Sequence, residues 1–393
     1  MIRLYASFII YDYKPVADHL HEEKRERKTF MSLESFFHEV ISPKRPLHLT
    51  PVYGVLRLVA VVYSMIQRVR AGLYRLGVFK TRRLDCRVIS VGNLTLGGTG
   101  KTPMVMMVAD TLRRQGFKPA ILSRGYGGQS GEFVNVVNDG QRTLLSPEMA
   151  GDEPVMMAQR LKTIPVLTGR IRYETGRYAI ENFGVDVLIL DDGYQHLPLH
   201  RDLNILLCDA TRPFGNGIVF PAGELREPLS AMDRADLICL TRWREDSQTD
   251  RVDACNHRQV PVIQTGLRVQ SVIELSSGKE IGIEAVHNQS VAAFCGIAHP
   301  LDFFHTLEQV PVQLVNRDGF SDHHDYSADD FKAIENRAKQ AGAQCIVTTE
   351  KDAVKLKGHT FGLPVYAVRI ALEILEGQEA WDHLLLLPGG GAG

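Results

Sequence analysis

The stretch "TLGGTGKTP", residues 95–103, constrains this chain more than any other. Three glycines, Gly97, Gly98 and Gly100, stand directly before Lys101 and Thr102. The apolar run "RVISV" (87–91) leads in, and a helical pattern follows from Lys101. A strand, a glycine turn and a helix N-terminus make a phosphate cradle: backbone N–H groups and the helix dipole face an anion, the lysine adds charge, and the threonine can reach Mg²⁺. The regular P-loop pattern has glycine where this chain has Thr95. The glycines next to the phosphates are the ones the geometry needs, and they are present. We therefore assign Thr95, Leu96, Gly97, Gly98, Thr99, Gly100, Lys101 and Thr102 to nucleotide binding.

A nucleotide site of this kind also needs a carboxylate for the metal. "VLILDDG" (187–193) supplies a buried strand ending in Asp191 and Asp192. The carboxyl end of a strand is where open α/β sheets bind ligands. Thr102, Asp191 and Asp192 are thus the expected Mg²⁺ set.

Further apolar runs at 119–123, 204–209 and 235–241 alternate with helical patterns at 101–115, 153–162 and 172–183. Alternation of this kind predicts a parallel sheet covered by helices. The polar segment 242–259 breaks the rhythm. Beyond it, strand-like runs at 291–295, 312–315, 344–350 and 364–368, with helices near 300–309 and 328–341, predict a second, smaller α/β unit. The expected division is a phosphate-binding domain over 31–245 and a smaller domain over 246–388. Residues 1–30 contain the dense mixed charge "HEEKRERK" and read as a disordered extension, with Met31 a possible start.

A net charge of −1 gives no pull toward nucleic acid. Six scattered cysteines without a C-x-x-C pair argue against a zinc cluster or a disulfide scaffold, and favour a reducing compartment. Charge is uneven, however. Between Val40 and Leu84 lie nine basic residues and no acidic one, around the uncharged run "LVAVVYSMI" (58–66). Nine apolar residues do not span a bilayer, which takes about 20. Val52, Leu56, Val59, Tyr63 and Ile66 recur at helical spacing. An apolar stripe in a cationic helix, at about 51–76, suits either an anionic membrane surface or packing on its own domain.

Two histidine clusters complete the polar inventory. "HLPLH" (196–200) has Pro198 where a zinc-binding helix would run. "SDHHDY" (321–326) suits a loop with one catalytic histidine better than a metal site. "TEKD" (349–352) resembles a guanine-reading motif at the wrong spacing.

Seven segments then occur in order: "SVGNLTLGGTGKTP" (90–103), "ILSRGYGG" (121–128), "AGDEP" (150–154), "LILDDGYQHLPLHRDLNI" (188–205), "PAGELREPL" (221–229), "FSDHHDY" (320–326) and "TTEKDAVKL" (348–356). Together they resemble the tetraacyldisaccharide 4′-kinases of lipid A synthesis, from about Met31 to about Leu385. The resemblance implies a P-loop domain, a smaller α/β domain and an N-terminal membrane-associating helix. It implies transfer of the ATP γ-phosphate to the 4′-hydroxyl of a tetraacylated glucosamine disaccharide 1-phosphate, with Mg²⁺. The setting would be the cytoplasmic face of the bacterial inner membrane, with the enzyme peripheral to its anionic surface. Asp152 and His323 match the family's catalytic pair, beside Lys101. Arg172 and Arg226 match basic positions near phosphate or substrate, with surface ion pairing as the alternative, and Gln195 and His196, beside the metal acids, are candidates for orienting the sugar. Asp152 has a structural alternative, because Asp before Glu-Pro is also a good helix N-cap. Two rival functions remain: a soluble P-loop NTPase that uses hydrolysis for assembly or metal delivery, and a non-catalytic membrane-bound nucleotide sensor.

Overall fold

The computed structural model describes residues 33–386, apart from 127, 130, 131, 245, 246, 248, 323, 357 and 358. The N-terminal extension and His323 therefore lie outside the described residues. Two helices come first, α1 (Leu33–Ile41) and α2 (Thr50–Arg75). The phosphate-binding lobe runs β1 (Arg87–Asn93), α3 (Lys101–Arg114), β2 (Pro119–Ser123), β3 (Asn135–Asn138), α4 (Pro147–Ala150) and α5 (Asp152–Arg160). It continues through β4 (Val166–Thr168), α6 (Arg172–Phe183), β5 (Val187–Asp191), β6 (Leu203–Asp209) and β7 (Leu237–Thr241). After α7 (Asp250–Asp253) come β8 (Val262–Glu274), β9 (Lys279–Ile281), β10 (Ser290–Cys295), α8 (Pro300–Glu308) and β11 (Gln313–Gly319). The chain ends with α9 (Ala328–Gln340), β12 (Cys345–Thr349), α10 (Glu350–Ala353), β13 (Val365–Glu376) and α11 (Gln378–Leu386).

One sheet runs through both lobes, in the order β11-β10-β12-β13-β8-β7-β6-β1-β5-β2-β4-β3, with β9 on β8. Strands β2, β4, β5, β1, β6 and β7 pair in parallel, as alternating strands and helices require. All five residues of β5 are buried, because helices cover both faces. In the second lobe β11, β10, β12 and β13 are also parallel. The lobes join through β8 and β13, an antiparallel ribbon registered from Tyr366 opposite Glu274 to Glu376 opposite Gln264. One end of β8 (Val262 to Gln264) pairs with β7, while one end of β13 (Val365 to Val368) pairs with β12.

A division at 246 does not follow the packing. The chain crosses back through β13, and α11 returns to the first lobe. There Trp381 and Leu385, each 1% exposed, share a core with Ile89, Met104 and Val105. Arg87 holds the end of this helix, donating from its guanidinium to the Leu384 carbonyl at 2.7 Å.

Helix α2 lies along the first lobe with one face turned in. Ala60 is buried and Tyr63 packs on a core with Leu94 and Tyr194. The exposed face carries Val55, Leu58, Val62, Met65 and Val69, an i, i+3, i+7 series that is at least half exposed at every position. The stripe expected from the sequence is thus split: Tyr63 and Leu56 face the protein, whereas Val52, Val59 and Ile66 face out. Residues 47–75 are long and apolar enough to cross a membrane by length and composition. The inward contacts of Ala60, Tyr63 and Arg70 instead hold the helix against the lobe.

Candidate active site

The phosphate cradle is shaped by its neighbours as much as by its glycines. Thr95 forms a β-bridge with Leu225, and the Leu96 N–H donates to the Glu224 carbonyl at 2.7 Å. Chain in a β-bridge has no need of a glycine, which explains the threonine. Tight turning begins at Gly97 (φ +100°) and ends at Gly100 (φ +78°), left-handed values that favour glycine. Gly100 caps α3 without a side-chain hydrogen bond, so the first N–H groups of the helix stay available to an anion. Lys101 Nζ sits 3.4 Å from Asn93 Oδ1 and 3.7 Å from Asp192 Oδ1. Thr102 is buried at the same helix start.

Asp191 and Asp192 are adjacent, yet they live in opposite fields. Asp192, at φ +52°, accepts from Arg226 through both carboxylate oxygens at 2.9 Å. Burial alone would raise its pKa, but Arg226 and Lys101 hold it well below the usual carboxylate range. Asp191 is buried, accepts from the Ser123 hydroxyl at 2.8 Å, and has no ion-pair partner among the described residues. Burial, then Glu153 and Asp192, push its pKa up to about 6. Asp191 is the carboxylate short of a cation. Among the described residues no three Asp, Glu, His or Cys side chains could hold a metal together. That suits Mg²⁺, which takes one or two carboxylates and fills its shell with phosphate and water.

The arginines and the Gln-His pair do work that the sequence did not separate. Arg226 is the partner of Asp192. Arg172 is 2% exposed and donates to the carbonyls of Gly169 (3.1 Å) and Asp191 (3.0 Å). Its guanidinium fixes the end of β5, and it acts on the site through the backbone. Gln195 donates to the Asn93 carbonyl at 2.9 Å, and its own carbonyl accepts from Arg70 of α2 at 3.3 Å. His196 is kept neutral, its pKa lowered to about 4 by burial and then by Arg172, Arg124, Arg201 and Arg70. It lines an open groove with Lys80, Arg170 and Tyr173.

The first turn of α5 begins at Asp152. The N-cap there is Gly151, not Asp152, and no side chain makes a cap hydrogen bond. The Asp152 carboxylate goes to Lys355, 2.9 Å away in the second lobe. The capping alternative is therefore not what this residue does. Glu153 lies 3.5 Å from Lys351. Although His323 itself is outside the described residues, its neighbours are placed. Asp322 pairs with Lys351 at 2.8 Å. His324 packs between Phe320 and Tyr326, with Nε2 3.3 Å from Asp330 Oδ2. Asp330 and Ser327 in turn form the capping box that starts α9, so His324 anchors its loop. Asp352 of "TEKD" is fully buried and accepts from the Gly296 N–H and the Tyr326 hydroxyl, each at 3.0 Å. It holds the second lobe together and reads no base.

Several residues of the site carried no signal of their own in the sequence. Arg242, at φ +54°, bonds the Gly98 carbonyl and Asp209, and its Nε lies 2.9 Å from Asp302 of α8. It ties the cradle to the second lobe. Glu350 pairs with Arg160 of α5 at 3.0 Å and with Arg369 of β13 at 2.9 Å. Such pairs lie far apart along the chain, and nothing local announces them.

Comparison with known proteins agrees with this geometry. Residues 52–387 match the family described as LpxK, tetraacyldisaccharide-1-P 4′-kinase. The tetraacyldisaccharide 4′-kinase of Syntrophus aciditrophicus is 42% identical over 341 residues, covering 83% of this chain and 91% of the relative. That of Desulfotalea psychrophila is 43% identical over 327 residues, covering 83% and 93%. The crystal structure of LpxK from Aquifex aeolicus in complex with ATP superposes with a TM-score of 0.70 at 30% identity, covering 86% of this chain and 99% of that one. The chain belongs to the tetraacyldisaccharide-1-phosphate 4′-kinase family.

Proposed function

We propose that this protein transfers the γ-phosphate of ATP to the 4′-hydroxyl of a tetraacylated glucosamine disaccharide 1-phosphate in lipid A synthesis, with Mg²⁺, at the membrane surface. The observation that carries the reading is the phosphate cradle: left-handed Gly97 and Gly100 lead into the uncapped start of α3, where Lys101 lies 3.7 Å from Asp192.

Lys101 and the amides of residues 97–101 would hold the β- and γ-phosphates, where charge shifts as the bond to ADP breaks. Thr102 and Asp191 would hold Mg²⁺, with Asp192 kept ionised by Arg226 beside it. A cation held by these residues would supply charge that offsets that of the phosphates. Asp152, with His323, would take the proton from the 4′-hydroxyl while its oxygen bonds to phosphorus and the β–γ bridging oxygen leaves with ADP. A sugar alcohol ionises far above neutral pH, so a base within hydrogen-bond reach is required.

The acceptor brings its own constraint. Each CH₂ drawn from a bilayer costs about 0.8 kcal/mol, so four acyl chains stay in the membrane and the enzyme goes to them. The outward valines and leucine of α2 supply apolar area. Arg57, Arg68 and Arg75 recur at 11 and 7 residues, which sets them on one line of the helix, at the margin of that face. Anionic headgroups suit that border. ATP as donor places the reaction on the cytoplasmic face of the inner membrane.

The test is transfer itself. Radiolabelled ATP and the acylated disaccharide are incubated with the protein, and products are separated by thin-layer chromatography. Label in the lipid is expected. Steady release of labelled phosphate with none in the lipid would favour a hydrolysing NTPase.

A further inference from the structure

We propose that Lys351 and Lys355 are positioning residues, a two-pronged clamp from the second lobe that sets Asp152 in working geometry against Asp322 and the His324 backbone. The inference rests on the assignment of Asp152 as base. Each lysine bridges the same two elements. Lys355 Nζ lies 2.9 Å from Asp152 Oδ2 and donates to the His324 carbonyl at 2.9 Å. Lys351 Nζ lies 3.5 Å from Glu153 Oε1 and 2.8 Å from Asp322 Oδ1. The first turn of α5 and the loop after β11 come from different lobes, and they are joined twice over.

The chemistry favours lysine at both places. An ammonium is a compact charge with three donors that can point to separate acceptors, whereas a guanidinium presents a planar fork. Lys351 lies in α10 and Lys355 in the turn that follows it, where the Lys355 N–H donates to the Asp352 carbonyl at 2.9 Å, so both ammonium groups come from one short stretch of chain. Both are nearly enclosed, at 13% and 12% side-chain exposure, so water screens their charges little. Burial tends to lower the pKa of Lys351, but Glu153 and Asp322 raise it overall, well above the usual lysine range, so it stays charged. A carboxylate fixed by an enclosed cation has one orientation to offer an incoming hydroxyl, and the loop carbonyl on the same ammonium keeps the two sides in register. Small misplacements at a reacting centre cost large factors in rate.

A kinetic cycle tests this. In the wild-type background, Lys355→Met is expected to lower kcat by about 10- to 100-fold, with KM for ATP within about threefold. In an Asp152→Asn background the same change should cost less than about threefold, because its route to the chemistry is already gone. Lys355→Arg should recover part of the loss. Equal factors in both backgrounds would make Lys355 a general packing residue and overturn the clamp. So would a Lys355→Met enzyme with wild-type kcat beside an inactive Asp152→Asn. Full activity of Asp152→Asn overturns the base assignment, and the clamp with it. Melting temperatures of each variant separate loss of fold from loss of alignment.

Discussion

The two ends of the cleft are built in different ways. The phosphate end comes mostly from one lobe: Asn93 to Thr102 is a single stretch of chain, braced by Leu225 and closed by Asp191 and Asp192, with Ala298 and His299 of the second lobe lying against its glycines. The base end is assembled between lobes, where α5 meets Lys351, Lys355 and Glu350. A one-lobe site keeps its shape when the lobes part, and a two-lobe site does not. ATP should therefore bind whatever the position of the second lobe, and transfer should occur only with the lobes together. If Asp152 is the base, that arrangement would limit waste of ATP.

The largest effect should come from the phosphate end. Lys101→Ala is expected to lower transfer by about a thousandfold or more while the circular dichroism spectrum is unchanged. A folded, near-normal Lys101→Ala enzyme would break the phosphate half of the comparison.

Asp191→Asn comes next, with a loss of about a hundredfold and a gain of stability when metal and nucleotide are removed. The folded pKa is raised from 3.8 to about 6, so the native state binds a proton more readily than the unfolded state across that window. Wild-type stability should fall as pH rises through it, by about 2–3 kcal/mol, and stay lower above it. Urea melts of the two proteins at pH 4 and pH 7 check the sign: the variant's advantage should appear at pH 7 and shrink at pH 4.

At the two-lobe end, Glu350→Gln leaves Arg160 and Arg369 facing each other at 14% and 15% side-chain exposure. A drop in kcat of about tenfold and a loss of about 1–3 kcal/mol in stability are expected, with nucleotide affinity by titration calorimetry little changed. Equal losses in ATP affinity and kcat would erase the distinction between the ends. The smallest effect on chemistry belongs to α2. Replacing Val55, Leu58 and Val62 by serine should move the protein from membrane to soluble fraction, at roughly 1.5 kcal/mol or more per side chain. Activity on a detergent-dispersed acceptor should survive. A variant that still pellets with membranes would deny that face its role.

Much of the one-lobe end was legible because its signals are local. "RVISV", the glycines, Lys101 and the two aspartates each declare an apolar strand, a tight turn or a charge within a few residues. Strands β8 and β13 were read poorly: Arg268 and Gln270 interrupt a half-exposed ribbon whose burial depends on both lobes. Helix α2 showed an apolar stripe but could not show which stripe turns inward, since Tyr63 suits a core and a membrane border equally. At Asp152 the same residues fit a cap or a base, and its ion pair with Lys355, distant in sequence, left no local trace. Glu153 lay inside a quoted motif without a role, because its partners are across the cleft.

The position of α11 bears on how the chain matures. Trp381 and Leu385 complete the core around Met104 and Ile89, yet they are made after nearly all of the rest of that lobe. The first lobe cannot finish folding as it leaves the ribosome, although nearly all of its strands emerge early. Until α11 emerges, that lobe keeps an open apolar seam along α3, the helix that begins at the phosphate cradle. Nucleotide binding is therefore expected only once α11 has docked, and a chain cut before it should expose that seam.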